Sequence, residues 1–155
     1  MEIVTIFKIA QYYNIGKRAV GYSSGREKKG LNVENKKILI IEDNPANLKL
    51  VTDILSVEGY DVIQANNGKA GLDALMISPK EIGLILLDIK LPDIDGFEVL
   101  KQIKNNEEVK NIPVIIVSAH AMEADVKKSL EAGCLDYITK PINIKKFLAR
   151  IKSVV

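Results

Sequence analysis

The sequence predicts an α/β fold, a doubly wound sheet of five parallel strands with helices on both faces. Three observations carry this. From Lys37 onward, short apolar runs alternate with segments of helical periodicity, giving five βα units in 119 residues. The run Ile82–Leu87 is almost wholly apolar, as a central parallel strand covered on both faces should be. Right-handed crossovers between such units leave few topologies, and the doubly wound open sheet is the expected one.

The first strand is Lys37–Ile41, followed by Glu42, Asp43 and Asn44. Asn44 is placed to cap the next helix, and Pro45 sits in its first turn, where a missing N–H costs nothing. Leu48, Val51, Ile54 and Leu55 then recur at helical spacing, and Gly59 is placed to stop the helix. Residues 61–65 read as the second strand and residues 70–77 as the second helix, ended by Ser78 and Pro79. Asp88 closes the third strand, Ile82–Leu87. Residues 91–96 form a turn-rich loop in which Asp93 and Asp95 read as loop polar groups, and residues 97–103 form the third helix. Residues 113–117 are the fourth strand, followed by Ser118. Residues 123–132 are the fourth helix, with Gly133 at its end. Residues 137–139 are a short fifth strand, followed by Lys140 and Pro141, and residues 144–155 the fifth helix.

Residues 1–36 have a different composition. They hold seven Lys/Arg and three Glu, net +4, against net −2 for residues 37–155. The Gly/Ser/Lys stretch over residues 21–30 reads as a linker. Ile3, Ile6, Phe7 and Ala10 recur at helical spacing, but the β-branched residues around them leave helix and strand both open. Lys8 interrupts this apolar run and no small-residue cleavage site follows, which argues against a secretory signal. The expectation is a basic, poorly ordered extension over residues 1–36 and one domain over residues 37–155.

Composition excludes several function classes. With 22 Lys/Arg against 20 Asp/Glu the chain is too near neutral for a nucleic-acid binder. One cysteine excludes an internal disulfide and a zinc site built on several thiolates. No apolar run reaches the length of a membrane span, so no membrane partner and a cytoplasmic location are expected. The absence of Trp and 5% aromatics argue against a stacking platform for sugars or single-stranded nucleic acid.

In an open parallel sheet, ligands bind outside the carboxyl ends of the strands. Strand one delivers Glu42 and Asp43 to that edge, strand three Asp88, strand four Ser118 and strand five Lys140. One such Asp or Ser often does no more than cap the following helix, but five of them at the ends of four strands exceed that explanation. Carboxylate oxygens suit a hard divalent cation such as Mg²⁺. An ammonium and a hydroxyl facing the same metal suit a phosphoryl group, and a carboxylate there can be the nucleophile that accepts it.

These residues carry a family resemblance. The segment from Lys37 to Val155 resembles a response-regulator receiver domain of the CheY-like superfamily. The matching pieces are Ile40-Ile41-Glu42-Asp43-Asn44, Leu87-Asp88-Ile89-Lys90-Leu91-Pro92-Asp93-Ile94-Asp95-Gly96, Val117-Ser118-Ala119 and Tyr137-Ile138-Thr139-Lys140-Pro141. The spacings match as well, 45 residues from Asp43 to Asp88, 30 on to Ser118 and 22 on to Lys140. The ending Gly133-Cys134-Leu135-Asp136-Tyr137 through Phe147-Leu148 is most similar to the single-domain DivK-type cell-division regulators.

The resemblance implies a (βα)5 flavodoxin-like, CheY-like sheet in strand order 2-1-3-4-5. It implies that Asp88 is the phosphoacceptor, and that Mg²⁺ (or Mn²⁺) is held by Asp43, Asp88, the backbone carbonyl of Lys90 and, through water, Glu42. It implies that Lys140 pairs with a phosphoryl oxygen, that the Lys140–Pro141 bond is cis, and that Ser118 hydrogen-bonds another phosphoryl oxygen. Ser118 and Tyr137 would form the switch, with Lys90 and His120 tuning the rate at which the phosphoryl group is lost.

The function implied is that of a stand-alone response regulator in a two-component phosphorelay. It would take its phosphoryl group from a histidine kinase or histidine phosphotransfer protein. It would signal to a downstream protein through the face of the fourth helix, fifth strand and fifth helix, with no direct nucleic-acid contact. It would not be an enzyme beyond its own Mg²⁺-dependent phosphorylation and dephosphorylation. A chain that ends after the fifth helix leaves no room for an output domain; a receiver detached from a hybrid histidine kinase is the alternative context. A haloacid-dehalogenase-like phosphatase needs a second Asp two positions after the nucleophile, where Lys90 stands. A flavin binder needs a Ser/Thr/Gly-rich phosphate loop after strand one, where Glu42 and Asp43 would repel the phosphate. Residues 31–37 resemble an ordinary receiver start, which makes Leu31 or Val33 a candidate alternative initiation site.

Overall fold

Five apolar runs supply the strands of the sheet in the computed structural model, which describes residues 36–120 and 122–155. The strands are β1 (Lys37–Ile41), β2 (Val62–Ala65), β3 (Ile82–Leu87), β4 (Val114–Ser118) and β5 (Asp136–Thr139). They alternate with α1 (Pro45–Val57), α2 (Gly68–Ile77), α3 (Gly96–Lys104), α4 (Glu123–Glu131) and α5 (Ile144–Lys152). All neighbouring strands pair in parallel, in the order β2-β1-β3-β4-β5. This is the fold class and strand order expected from the sequence. The extension expected over residues 1–36 lies outside the described residues, Lys36 excepted.

The period-2 alternation of the strands divides the core in two. On one face Ile38 and Ile40 of β1 and Leu84 and Leu86 of β3 pack with Val51, Ile54 and Leu55 of α1 and Phe147, Leu148 and Ile151 of α5. On the other, Leu39 and Ile41 of β1 and Ile85 and Leu87 of β3 pack with Leu75 of α2 and Val99, Leu100 and Ile103 of α3. Both faces of β1 and β3 are therefore covered, which is why these strands read as continuous apolar runs. Each fully buried Leu or Ile contributes roughly 1.5–3 kcal/mol.

Capping residues set the helix boundaries. The Asn44 side chain accepts from the Ala46 and Asn47 amides at 2.9 and 3.1 Å, so α1 starts at Pro45 as predicted. Gly59 follows the end of α1 with φ +87°, the left-handed conformation that favours glycine. α2 begins at Gly68, two residues before the apolar spacing predicts, because Asn67 caps it by accepting from the Ala70 amide at 2.8 Å. α3 begins at Gly96 because Asp95 accepts from the Phe97 amide at 2.8 Å. α5 stops at Lys152, where Ser153 caps it, and does not run on to residue 155.

The order places β1 and β3 side by side at the centre. Chain leaving β1 moves outward to β2, and chain leaving β3 moves the opposite way to β4. The crevice between their carboxyl ends is the point at which the strand order reverses, where such sheets bind ligands.

Candidate functional site

Backbone hydrogen bonds carry the parallel ladder one residue beyond the strands and fix the site residues there. The Glu42 amide donates to the Ala65 carbonyl at 3.0 Å, the Asp88 amide to the Ile41 carbonyl at 3.0 Å, and the Lys140 amide to the Ser118 carbonyl at 2.9 Å. Strand pairing alone thus sets Glu42, Asp88, Ser118 and Lys140 at one edge. Asp43 follows Glu42 at the entry to α1.

The structure brings three of the predicted acids together. Glu42, Asp43 and Asp88 each offer a carboxylate oxygen, and these oxygens lie within 4.8 Å of one another. Glu42 and Asp88 are 5% and 8% exposed, while Asp43 opens to solvent. The Lys140 ammonium donates to Glu42 Oε2 and, at 3.0 Å, to Asp88 Oδ2. The other oxygens of Glu42 and Asp88 also have partners: Glu42 Oε1 accepts from the Asn44 amide at 3.0 Å and Asp88 Oδ1 from the Lys90 amide at 3.2 Å. The Lys140–Pro141 bond is cis, as the resemblance implies.

The electrostatics follow from burial and charge. Burial pushes the Glu42 carboxyl above its ordinary range, and the Lys140 hydrogen bond pulls it back without offsetting this. Burial alone would lower the Lys140 ammonium, but its hydrogen bonds to Glu42 and Asp88 and their charges outweigh that and leave it raised. Lys140 is thus held as a cation between two buried carboxylates. Hard oxygen donors in a cluster whose charge exceeds that of the one ammonium fit a divalent cation such as Mg²⁺ or Mn²⁺.

Ser118, Tyr137 and His120 form a second group beside the first. Ser118 is fully buried as the last residue of β4, and its Oγ accepts from the His120 amide at 3.3 Å. The Tyr137 ring is half-buried against the core, and its hydroxyl donates to the His120 carbonyl. Burial raises the Tyr137 hydroxyl pKa, against a smaller lowering by the Ser118 hydroxyl. The Tyr137 ring is thus partly buried, with its hydroxyl tied to the backbone just beyond Ser118. Of the two expected tuning residues, Lys90 is exposed two residues after Asp88 and His120 is half-buried in the β4–α4 loop.

Two residues that read as loop polar groups are structural anchors. Asp95 caps α3, and Asp95-Gly96-Phe97-Glu98 carries the spacing of a capping box, a signal open to sequence reading. Asp93 accepts from the Gly68 and Lys69 amides, both at 2.8 Å, across 25 and 24 residues of chain. No local pattern announces a contact of that range. Cys134 is buried in the core, in keeping with a packed residue.

Known proteins match this arrangement. A family profile described as the response regulator receiver domain matches residues 38–152. A relative described as polar-differentiation response regulator DivK, from Brucella anthropi, is 42% identical over 118 residues, covering 76% of this chain and 94% of that protein. A solved CheY-like receiver domain protein from Methanospirillum hungatei is 36% identical, with TM-score 0.68 over 76% of this chain and 91% of its own. The Mn²⁺-bound form of response regulator Rcp1 is 33% identical, with TM-score 0.66 over 77% and 91%. The CheX–CheY–BeF3–Mg²⁺ complex from Borrelia burgdorferi matches at 32% identity and TM-score 0.72 over 77% and 88%.

Proposed function

Because the chain belongs to the response regulator receiver domain family, we propose that it is a phosphorelay regulator of the DivK kind that accepts a phosphoryl group on Asp88. The observation that carries this reading is the convergence of Asp88, Asp43, Glu42 and Lys140 on one sheet edge. An oxygen of the Asp88 carboxylate attacks the phosphorus of a phosphohistidine. The P–N bond breaks, its electron pair stays on the imidazole nitrogen, and that nitrogen takes up a proton. The same attack on acetyl phosphate releases acetate.

The chain's residues divide the work. Asp43, Asp88 and the Lys90 carbonyl would hold Mg²⁺ or Mn²⁺, with Glu42 contributing to the same site. The cation, when bound, neutralises charge on the phosphoryl oxygens. Lys140 supplies a positive charge to one of those oxygens, and the Ser118 hydroxyl donates to another. Lys90 and His120 flank the acceptor and tune how long the phosphoryl group persists. The donor is a histidine kinase or histidine phosphotransfer protein.

The output partner is a protein that docks on α4, β5 and α5. On the β5 and α5 part of this face a groove of about 310 Å³ is lined by Tyr137, Thr139, Pro141, Lys146 and Arg150, among others. A cytoplasmic setting suits such a donor and target; among the described residues no helix is long and apolar enough to cross a membrane.

Incubation with acetyl phosphate and Mg²⁺, read by intact mass, tests the assignment. One phosphoryl group should appear on the wild type and be lost with EDTA or in Asp88→Asn. Undiminished labelling of the Asn variant would overturn it.

A further inference from the structure

Asp88 and Lys90 stand on the loop that joins β3 to α3. A backbone amide pins each of its two ends. At one end the Lys90 amide donates to Asp88 Oδ1. At the other the Gly96 amide donates to the Ile89 carbonyl at 2.8 Å. Between them Leu91 and Ile94 lie half-buried against the core. The tip is held differently. Asp93 spreads its carboxylate over the start of α2, one oxygen on the Gly68 amide and the other on the Lys69 amide.

These are the first two amides of the helix, which no intrahelical carbonyl can satisfy. α2 already has a local cap, since Asn67 takes the Ala70 amide with its side chain and the Gly71 amide with its carbonyl. Asp93 is therefore more than the helix's own cap. It is a two-point tether between α2 and the phosphoacceptor loop. The two amides hold its carboxyl below the usual range, so it stays ionised at neutral pH, with the negative charge a helix start favours.

We propose that Asp93 is a positioning residue for the divalent cation: by clamping the loop tip to α2 it fixes the backbone of Lys90 beside Glu42, Asp43 and Asp88. This rests on the reading of that cluster as a metal centre. Residues that orient a metal ligand without touching the metal change affinity by about 10- to 100-fold when removed. A helix cap without that role changes stability alone.

Mn²⁺ affinity, read from the electron paramagnetic resonance of free Mn²⁺, separates the two, with thermal unfolding in EDTA as the companion measurement. Asp93→Ala should weaken Mn²⁺ binding about tenfold or more. Asp93→Asn keeps the shape and one acceptor oxygen and should fall between Ala and wild type; it carries the test if the Ala variant does not fold. Asn67→Ala removes the local cap of the same helix and should lower the melting temperature while binding Mn²⁺ as the wild type does. Wild-type affinity in the folded Asp93 variants would overturn the proposal, whatever happens to their melting temperatures. A wild type that binds no Mn²⁺ would overturn the metal reading itself, and this proposal with it.

Discussion

Two carboxylates, Glu42 and Asp88, are buried at one sheet edge with one ammonium between them, and a third carboxylate, Asp43, stands within 4.8 Å. At that separation two like charges repel by roughly 3 kcal/mol in an effective dielectric of about 20. Lys140 offsets part of this, and a divalent cation is the natural complement of the rest. Cys134 shows the opposite case, a buried ionisable group removed from ligand chemistry. Burial pushes its thiol up from 9.0 to about 11, because the thiolate would lose its hydration. The Lys104 ammonium nearby is bound instead to the Lys110 and Ile112 carbonyls, both at 2.9 Å. A raised thiol pKa contributes stability that is fully present below pH 9 and is lost as pH rises toward 11. The stability difference between wild type and Cys134→Ala should therefore shrink over that window in urea titrations. Iodoacetamide at about pH 8 should label folded protein at least a hundredfold more slowly than urea-unfolded protein. Equal labelling rates would show that the thiol is not held protonated in the core.

At the scale of elements, the junction of β3 with α3 brings backbone close against backbone beside the site. A Cβ on Gly96 would lie 2.4 Å from the Asp88 carbonyl oxygen and 2.6 Å from Ile89 Cα. Both are backbone atoms at the carboxyl end of β3, so no rotamer change can relieve the contact. Gly96→Ala should cost about 1–3 kcal/mol by urea denaturation and slow phosphorylation from acetyl phosphate, because α3 must move off the Asp88 peptide. Unchanged stability and rate would show that this junction yields more readily than its geometry implies.

The same junction separates what was legible in the sequence from what was not. Asp88, Glu42, Asp43, Ser118 and Lys140 were legible because parallel topology alone carries every strand end to one edge. The start of α2 was misplaced by two residues because Asn67, a polar cap, lies outside the apolar spacing that marks a helix. Asp93 was missed for a deeper reason: its partners are amides 25 and 24 residues away, and backbone donors leave no signature in side-chain identity.

At the scale of the whole molecule, the proposed phosphorylation at the β1–β3 crevice would have to reach the proposed partner on the α4–β5–α5 face. The structure supplies a short route. Ser118 and Tyr137 both bond the backbone of His120, the first through its amide and the second through its carbonyl. Register places Ser118 beside Thr139 and Ile116 beside Tyr137 on the paired strands. A phosphoryl group on Asp88 adds negative charge and strong acceptors at this edge. The Ser118 hydroxyl then gains a new acceptor, and its shift would alter the His120 backbone to which the Tyr137 hydroxyl is bonded. Only an interaction that differs between the two states can move their balance, and the hydroxyl is that interaction. Ser118→Ala should leave Asp88 open to phosphorylation while weakening the gain in partner affinity on activation. The coupling lost should be about 1–3 kcal/mol, or roughly 5- to 150-fold in affinity. Partner binding measured by calorimetry with and without beryllofluoride, in wild type and in Ser118→Ala, reads this directly. Equal enhancement in the two proteins would mean that the signal leaves the site by another path, with Tyr137 serving only to pack β5 against the core.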